Sequence, residues 1–155
     1  MNTELTNKLL EKYPQIFIKT KFFGFECGDG WFSIIDNACG IIQHDIDWNN
    51  ATGKFSHFKP REPLKNQFVA IQVKEKFGGL RFYYSGGSDF TNGVINMAEA
   101  MSYITCEFCG QKGSQRNEGW IITLCDQHFQ ERQEKKKDKT ETVKQVLSEE
   151  TDVEE

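Results

Sequence analysis

The CxxC motif at Cys106 and Cys109 and the CxxH motif at Cys125 and His128 have the residue types and spacing of a metal site. A CxxC turn lets two thiolates reach one ion, and Gly110 after it relieves strain in the backbone of that turn. Two ligands three residues apart in the first turn of a helix lie on one face. Both spacings predict one Zn²⁺ site; the alternative is a set of unrelated core thiols with a surface histidine.

A complete set of three cysteines and one histidine predicts a structural ion. A catalytic zinc keeps three protein ligands and an open position for water near a carboxylate base. Glu107 and Asp126 could supply that carboxylate, but four protein ligands leave no position for water. Gly113, Gly119 and the β-prone segment 120–124 lie between the two ligand pairs and predict a hairpin. Knuckle, hairpin and ligand-bearing helix in this order predict a treble-clef-like zinc subdomain.

A predicted β-hairpin in the middle of the chain carries a second candidate site. Alternating apolar residues place the core on one of its faces. The opposite face carries Gln72, Lys74, Lys76, Arg81 and Tyr83. A turn at residues 78–79 sets Lys76 opposite Arg81, and like charges in that position repel each other. A nearby anion relieves this repulsion, either an internal carboxylate such as Glu75 or Glu99 or an external phosphate.

Two glycine-containing loops complete the predicted ligand surface. The stretch YSGGSDF places two glycines just before a helix start, where exposed N–H groups favour anions. It lacks a Walker lysine, and Asp89 competes for the same N–H groups as a helix cap. The stretch GFECGDGW lies before another helix and adds the remaining residues. The predicted ligand-binding residues are Lys74, Lys76, Arg81, Tyr83, Gly86, Gly87, Glu26, Asp29 and Trp31.

Cys27, His44 and His57 are the candidates for a catalytic centre. A thiol needs a nearby base to act as a nucleophile, and no order in the sequence brings either histidine to Cys27. A buried, unreactive thiol is the alternative for Cys27. The segment HDID at 44–47 could bind a metal or form a solvated loop. No residue is predicted to be catalytic, because a hydrolase or nuclease needs a recognisable acid, base and nucleophile.

Two helices and a long loop are predicted in the first 66 residues. Residues 4–13 form a short helix that ends before Pro14, and the stretch 26–43 contains a second helix for which it offers Asp29 as an N-cap. The apolar stripe of the second helix comprises Trp31, Ile34, Ile35, Ala38, Ile41 and Ile42. The segment 45–66 holds two prolines and little periodicity, which predicts a long loop.

The hairpin and a third helix follow the predicted loop. The core face of the hairpin is predicted to carry Val69, Ile71, Val73, Phe77, Leu80, Phe82 and Tyr84. The third helix is predicted to start at an Asp89 cap and to bury Val94, Ile95, Ala98, Met101 and Ile104. The predicted fold class is α+β, with a helix-plus-hairpin body at 1–104, the zinc subdomain at 105–135 and a charged, partly disordered helical tail at 136–155.

Length, charge and cysteine count limit the function. A chain of 155 residues is one ordinary domain with room for a subdomain, and five cysteines favour a metal in a reducing cytosol over disulfides. The chain shows neither a secretory leader nor an apolar run of membrane-spanning length, which predicts a cytoplasmic protein with no membrane partner. A net charge of −4 argues against a general polyanion binder. A local basic stripe for nucleic acid could still form from Lys112, Arg116, Arg132 and Lys135–Lys137.

Three stretches, GFECGDGW, QVKEKFGGLRFYYSGG and CEFCG with GWIITLCDQH, together resemble a group of small, uncharacterised proteins encoded by bacteriophages and prophages. The similarity spans roughly residues 17–128. It implies a zinc-binding accessory protein that acts in the cytoplasm of an infected host cell, and it implies no catalytic residues. By analogy, the expected function is non-enzymatic binding or sequestration of a host protein or an anionic nucleotide, including inhibition of a defence system. Regulation through nucleic-acid binding is the alternative.

Overall fold

The computed structural model describes residues 1–50 and 67–151, with side chains at 1–48 and 67–140. The elements in chain order are α1 (Thr3–Lys12), β1 (Phe25–Glu26), a 3₁₀ turn (Asp29–Trp31), α2 (Phe32–Asn50), β2 (Val69–Lys76), β3 (Gly79–Ser85), α3 (Asp89–Ser102), β4 (Ser114–Asn117), β5 (Ile121–Leu124) and α4 (Asp126–Thr151). The predicted α+β class is confirmed. None of the helices in these ranges has an apolar stretch that could cross a membrane.

A three-stranded sheet forms the centre of the fold. Its strand order is β1-β2-β3, with β1 parallel and β3 antiparallel to β2. Helices α1, α2 and α3 bury their apolar faces with one face of this sheet in a single core, which contains Leu9, Trp31, Ile35, Ile42, Val73, Leu80, Phe82 and Ile95. Each fully buried aliphatic or aromatic side chain contributes about 1.5–3 kcal/mol. A second, small cluster consists of Cys106, Ile122 and Leu124 and includes one of the four candidate metal ligands.

Helix α2 follows the predicted apolar stripe but extends further than predicted. All six predicted stripe residues are buried except Ile41, which is 48% exposed. The stripe continues to Ile46, which is 1% exposed, so residues 45–50 are the last turns of α2 rather than part of a loop. In the sequence, Ile46 is an isolated apolar residue among polar ones, so the apolar pattern does not indicate it. The rest of the predicted loop, 51–66, lies outside the described residues.

The β2–β3 hairpin has a different turn from the predicted one. Phe77 and Gly78 form a two-residue turn with φ of 55° and 75°, the pattern of a type I′ turn. Phe77 is therefore 64% exposed instead of lying on the core face. Gly79 belongs to β3, where an added Cβ would lie 2.5 Å from the ring of Tyr103. The shift sets Lys76 opposite Gly79 and Lys74 opposite Arg81, so the predicted opposition of Lys76 and Arg81 is wrong.

Helix α3 covers the outer edge of β3. The N–H groups of Leu80 and Phe82 point away from β2, and they donate to Ser102 Oγ at 2.8 Å and to Glu99 Oε1 at 3.0 Å. These side chains stand one turn apart on α3 and satisfy an edge that could otherwise pair with another chain. The N-cap of α3 is Ser88, in a capping box with Thr91, and not Asp89 as predicted.

The end of α3, the start of α2 and the C-terminal segment also differ from the predictions. Met101 and Ile104, predicted for the core stripe of α3, are 42% and 63% exposed. Similarly, Asp29 is not the cap of α2, because its carboxylate accepts from the backbone and side-chain N–H groups of Asn2, both at 2.7 Å. The charged segment from 136 onward is helical as part of α4 to Thr151, and 152–155 lie outside the described residues.

Removal of the Ser102 hydroxyl tests the covered edge. Ser102 is fully buried, and Ser102→Ala leaves the buried Leu80 N–H without its acceptor. We expect a loss of about 1–3 kcal/mol in the free energy of unfolding, measured in urea. Asn96→Ala, at an exposed position of the same helix, is the control and should not destabilise the protein. Equal stabilities of the two variants would contradict the assigned role of Ser102.

Candidate metal centre

Four metal-ligand side chains converge where three short elements meet. Cys106 and Cys109 lie in the turn after α3, Cys125 lies between β5 and α4, and His128 is in the first turn of α4. One ligand atom from each residue lies within 4.8 Å of all the others. The predicted four-residue cluster is confirmed as a group that can hold a metal ion.

The separations inside the cluster fit tetrahedral coordination. The Sγ atoms of Cys109 and Cys125 lie 3.8 Å apart. The Nδ1 atom of His128 lies 3.6 Å from Cys106 Sγ and 3.2 Å from Cys125 Sγ. Bonds of about 2.3 Å to sulfur and about 2.0 Å to nitrogen give tetrahedral edges of about 3.8 Å between sulfurs and about 3.5 Å between sulfur and nitrogen. The donors can therefore surround one ion with little rearrangement.

The CxxC turn is shaped by its own backbone. Cys106 O accepts from Gly110 N–H at 2.9 Å, and Cys106 N–H donates to Gln111 O at 2.8 Å. Gly110 has a φ of 75°, a backbone conformation that residues other than glycine rarely adopt. Gly113 is needed because an added Cβ would lie 2.8 Å from Cys106 N. A bridge between Thr105 and Lys112 closes the loop, so both thiolates face the same point.

The two carboxylates next to ligand cysteines in the sequence, Glu107 and Asp126, each have a partner within the protein. Glu107 is 9% exposed, and its Oε1 accepts from Gly28 N–H at 2.9 Å. Burial raises the pKa of Glu107, and the Gly28 hydrogen bond opposes this shift. Asp126 forms an ion pair with Arg116, whose guanidinium lies over the ring of Phe129 at 4.7 Å. Neither carboxylate is placed as a base beside an open metal position.

The CxxC turn packs directly on the glycine loop before α2. Gly30 N–H donates to Glu107 O at 2.8 Å, beside the bond from Gly28 to the Glu107 carboxylate. An added Cβ at Gly30 would lie 2.2 Å from Cys106 O, and one at Gly28 would lie 2.3 Å from Glu107 O. Both glycines are required because two backbones touch here. We call Gly28, Gly30 and Glu107 the knuckle seam. The sequence analysis did not identify it, although the GDG spacing is its signal.

A second contact joins the metal subdomain to the β2–β3 turn. Thr123 Oγ1 on β5 donates to Gly78 O at 2.5 Å, and Gln115 Nε2 on β4 donates to Phe77 O at 3.2 Å. Thr123 is fully buried. An added Cβ at Gly78 would lie 2.9 Å from Ile121 Cγ2. The predicted body and metal subdomain therefore share two interfaces. The glycine loop before α2 forms one of them with the CxxC turn, and the β2–β3 turn forms the other with β4 and β5.

The structure places several predicted ligand-binding residues in internal contacts. Trp31 is fully buried, and its Nε1 donates to Thr105 O at 2.9 Å. Glu26 Oε1 accepts from Gln72 Nε2 at 2.9 Å. Asp29 binds Asn2, as described above. Gly86 and Gly87 have φ of 70° and 89° in the loop before α3. Trp31 and the GDG glycines thus have a packing role.

The two lysines on the outer face of the hairpin lie beside aromatic rings. Lys74 Nζ lies 5.1 Å from the ring of Tyr83, and Lys76 Nζ lies 5.4 Å from the ring of Phe77. These are cation–π contacts at a solvent-facing surface. Lys74, Lys76 and Tyr83 are thus brought together on one face, as the sequence analysis proposed.

Arg81 belongs to an internal network. Its Nη2 donates to the Tyr103 hydroxyl at 2.5 Å, and its Nη1 donates to Leu80 O at 2.7 Å and lies 3.8 Å from Glu99 Oε2. The Tyr103 hydrogen bond raises the pKa of Arg81. Of the two internal carboxylates predicted as candidates for this face, Glu99 lies beside Arg81, whereas Glu75 accepts from Gly78 N–H.

Cys27 is a buried thiol and not an activated nucleophile. It is 7% exposed, and burial raises its pKa to about 12, so the reactive thiolate is scarce at neutral pH. Burial also raises the pKa of Cys39 well above its ordinary value. His44 lies on α2 and stacks on Trp48 with ring centroids 6.5 Å apart, and no hydrogen bond joins it to Cys27 in the described residues. His57 lies outside those residues. The HDID segment is helical instead of a loop.

Alanine at the knuckle seam tests the contact between the two backbones. Gly30→Ala places a Cβ against main-chain atoms that cannot move aside, and we expect a loss of at least about 3 kcal/mol in unfolding free energy together with weaker metal retention. Gly93→Ala on α3 meets no atom within 4 Å and should stabilise the protein by about 0.5–1 kcal/mol. Urea unfolding measures both. Similar effects at the two glycines would rule out the seam.

Two equal charge changes on paired strand positions test the hairpin face. Arg81→Gln removes the guanidinium that contacts Glu99 and Tyr103 and should lower the unfolding free energy by about 1–2 kcal/mol. Lys74→Gln, directly opposite, removes the same charge and should change stability by less than about 0.5 kcal/mol. Thermal unfolding at matched salt separates the two. An unchanged melting temperature for Arg81→Gln would contradict a stabilising internal network around Arg81.

The functional interpretation rests on the chemistry of these residues. The chain matches no protein-family model and has no significant similarity to a curated protein or to a solved structure. The geometry provides a complete set of metal-ligand residues, glycines that allow close contact between this set and the core, and cationic surfaces beside exposed aromatic rings.

Proposed function

We propose that Cys106, Cys109, Cys125 and His128 bind one Zn²⁺ and that this ion is structural. Three thiolates and one imidazole are a typical donor set of structural zinc, and harder ions such as Mg²⁺ and Ca²⁺ prefer oxygen ligands. The order of CxxC turn, β4–β5 hairpin and α4 supports a treble-clef-like arrangement. The observation that carries the proposal is the closed ligand set, whose neighbouring carboxylates are held by Gly28 and Arg116.

The protein that we propose is a non-enzymatic binding protein. Its metal has four protein ligands, and Cys27, the thiol weighed as a nucleophile, is buried with a raised pKa. Binding then depends on the surfaces that the zinc subdomain and the hairpin present. The proposed ligand is an anion-bearing molecule, such as a nucleotide, or a host protein, and this choice rests on analogy with small phage-encoded accessory proteins. The proposed setting is the cytoplasm of an infected cell.

A second candidate function, nucleic-acid binding through the zinc subdomain, is favoured by one specific observation. Helix α4 leaves the metal site with a run of cations beside an exposed aromatic residue of the CxxC turn. The acidic net charge of the whole chain does not oppose a local contact of this kind, because charges beyond about 10 Å are largely screened at 0.1 M salt.

Zinc content and cysteine replacement test the proposed metal. We expect one zinc per chain by native mass spectrometry, and we expect Cys109→Ser to lose it and to melt more than about 10 °C lower, because site formation is coupled to folding. Cys27→Ser is the matched control, since it removes a thiol outside the cluster, and it should retain one zinc.

Alkylation of thiols provides an independent measurement. Without chelator, native protein should resist alkylation at all five cysteines; after zinc removal the three ligand cysteines should react before Cys27 and Cys39, which are buried in the main core. Metal-free protein with the same melting temperature as the zinc-loaded form would contradict a structural ion. Retention of zinc by Cys109→Ser would contradict the ligand set.

A further inference from the structure

A groove of about 560 Å³ lies beside the metal cluster, between the CxxC turn and α4. It is lined by the aromatic residues Phe108 and His128 and by four cations, Arg132, Lys135, Lys136 and Lys139. Among the described lining residues Glu131 is the one carboxylate, and its Oε1 accepts from Gln127 at 3.0 Å. The groove is therefore strongly cationic in a chain whose net charge is −4.

Helix α4 places four cations on the side that faces the groove. Residues 132, 135, 136 and 139 are spaced three and four apart, so the helical period places them on one side. Glu134 and Asp138 fall on the opposite side by the same period. Like charges at these spacings destabilise a helix, and this arrangement keeps four of them together. A bound anion relieves that repulsion.

The four groove cations have few close anionic partners inside the protein, although Arg132 also interacts at longer range with the Glu107 carboxylate. Lys136 Nζ lies 3.4 Å from Glu118 Oε2. Within the described residues, Arg132, Lys135 and Lys139 form no ion pair closer than 4.0 Å. This differs from the hairpin face, where Arg81 is held by Tyr103 and Glu99. The groove is the cationic surface whose charge is left for an external partner.

Phe108 gives the groove an exposed aromatic surface. It lies between the two cysteines of the CxxC turn and is 53% exposed, so it contributes little to the core. One side of its ring stacks on His128, with centroids 5.6 Å apart and planes at 22°. Both rings are held by residues of the metal cluster, which lowers the entropy lost when a planar group stacks on them. The sequence analysis did not single out Phe108.

We propose that this groove binds single-stranded nucleic acid, with phosphates along Arg132, Lys135 and Lys139 and an unpaired base against Phe108. The cationic face from residue 132 to 139 extends about 10 Å along the helix, enough for a short run of backbone. An exposed ring beside a basic groove is the combination that favours single strands, since a duplex hides the faces of its bases. This inference rests on the proposed zinc function, because the ion fixes Phe108 relative to α4.

Fluorescence anisotropy with a labelled oligothymidine tests the groove in the zinc-loaded full-length chain. Binding should weaken with salt with a logarithmic slope of about −2, as three phosphate contacts predict. Lys135→Gln with Lys139→Gln should reduce affinity and bring the slope close to −0.7. Phe108→Leu should reduce affinity about fivefold or more and leave the slope unchanged, because it removes stacking and no charge.

Lys137→Gln is the matched control, because it changes one charge on the same helix outside the groove lining. It should bind almost as tightly as the parent protein. Zinc content and melting temperature are measured for every variant, so a weakened variant counts only when both are unchanged. A duplex of the same length and a polyglutamate peptide are the competitors, and both should compete poorly.

Three results would overturn the inference: no binding of oligothymidine by zinc-loaded protein, equal effects of Lys137→Gln and the double variant, or competition by duplex or polyglutamate as strong as by the oligonucleotide. The last outcome would assign the groove to duplexes or to acidic proteins. Failure of the zinc proposal is distinguishable, because it appears as metal-free protein that is fully folded, whatever its affinity for the oligonucleotide.

Discussion

The close approach of the CxxC turn to the loop before α2 is the contact on which the rest of the structure depends. Gly28 and Gly30 carry no side chains that would keep the two main chains apart, and Glu107 binds Gly30 through its carbonyl and Gly28 through its carboxylate. The next residue, Trp31, is fully buried and donates to Thr105 O just before the turn. Metal ligation, core packing and the start of α2 are therefore parts of one arrangement.

This arrangement explains why a small metal subdomain can orient a long polar helix. The small cluster that includes Cys106 contains three buried residues, too few to hold α4 by apolar burial alone. Cys125 and His128, which the proposed ion would join, flank the start of α4, while the contact of Thr123 with the β2–β3 turn fixes β5 against the body. The direction of α4, and with it the position of its cationic face, follows from these two attachments.

The two cationic surfaces of the protein differ in how their charge is compensated. On the hairpin, Arg81 is bound by a tyrosine hydroxyl and a carboxylate of α3, and Lys74 lies over an aromatic ring. The same Glu99 accepts an N–H of the edge strand, so it serves the fold before any ligand. On α4, three of four groove cations lack such partners in the described part of the chain. Charge that the fold does not use is available for binding.

Local rules predicted the metal cluster and the hairpin, because ligand spacing in CxxC and CxxH and the two-residue period of strands depend on neighbours in the chain. The extent of α2, the position of the β2–β3 turn and the partner of Arg81 were not predictable in this way. Gly79 lies in the strand, where the ring of Tyr103 leaves no room for a side chain, and Gly30 is required because Cys106 O, 76 residues away in the sequence, approaches it. The sequence by itself determined which residues can ligate a metal and which segments alternate; only the tertiary structure decided which glycines turn the chain and which allow contact, since that depends on distances between remote segments.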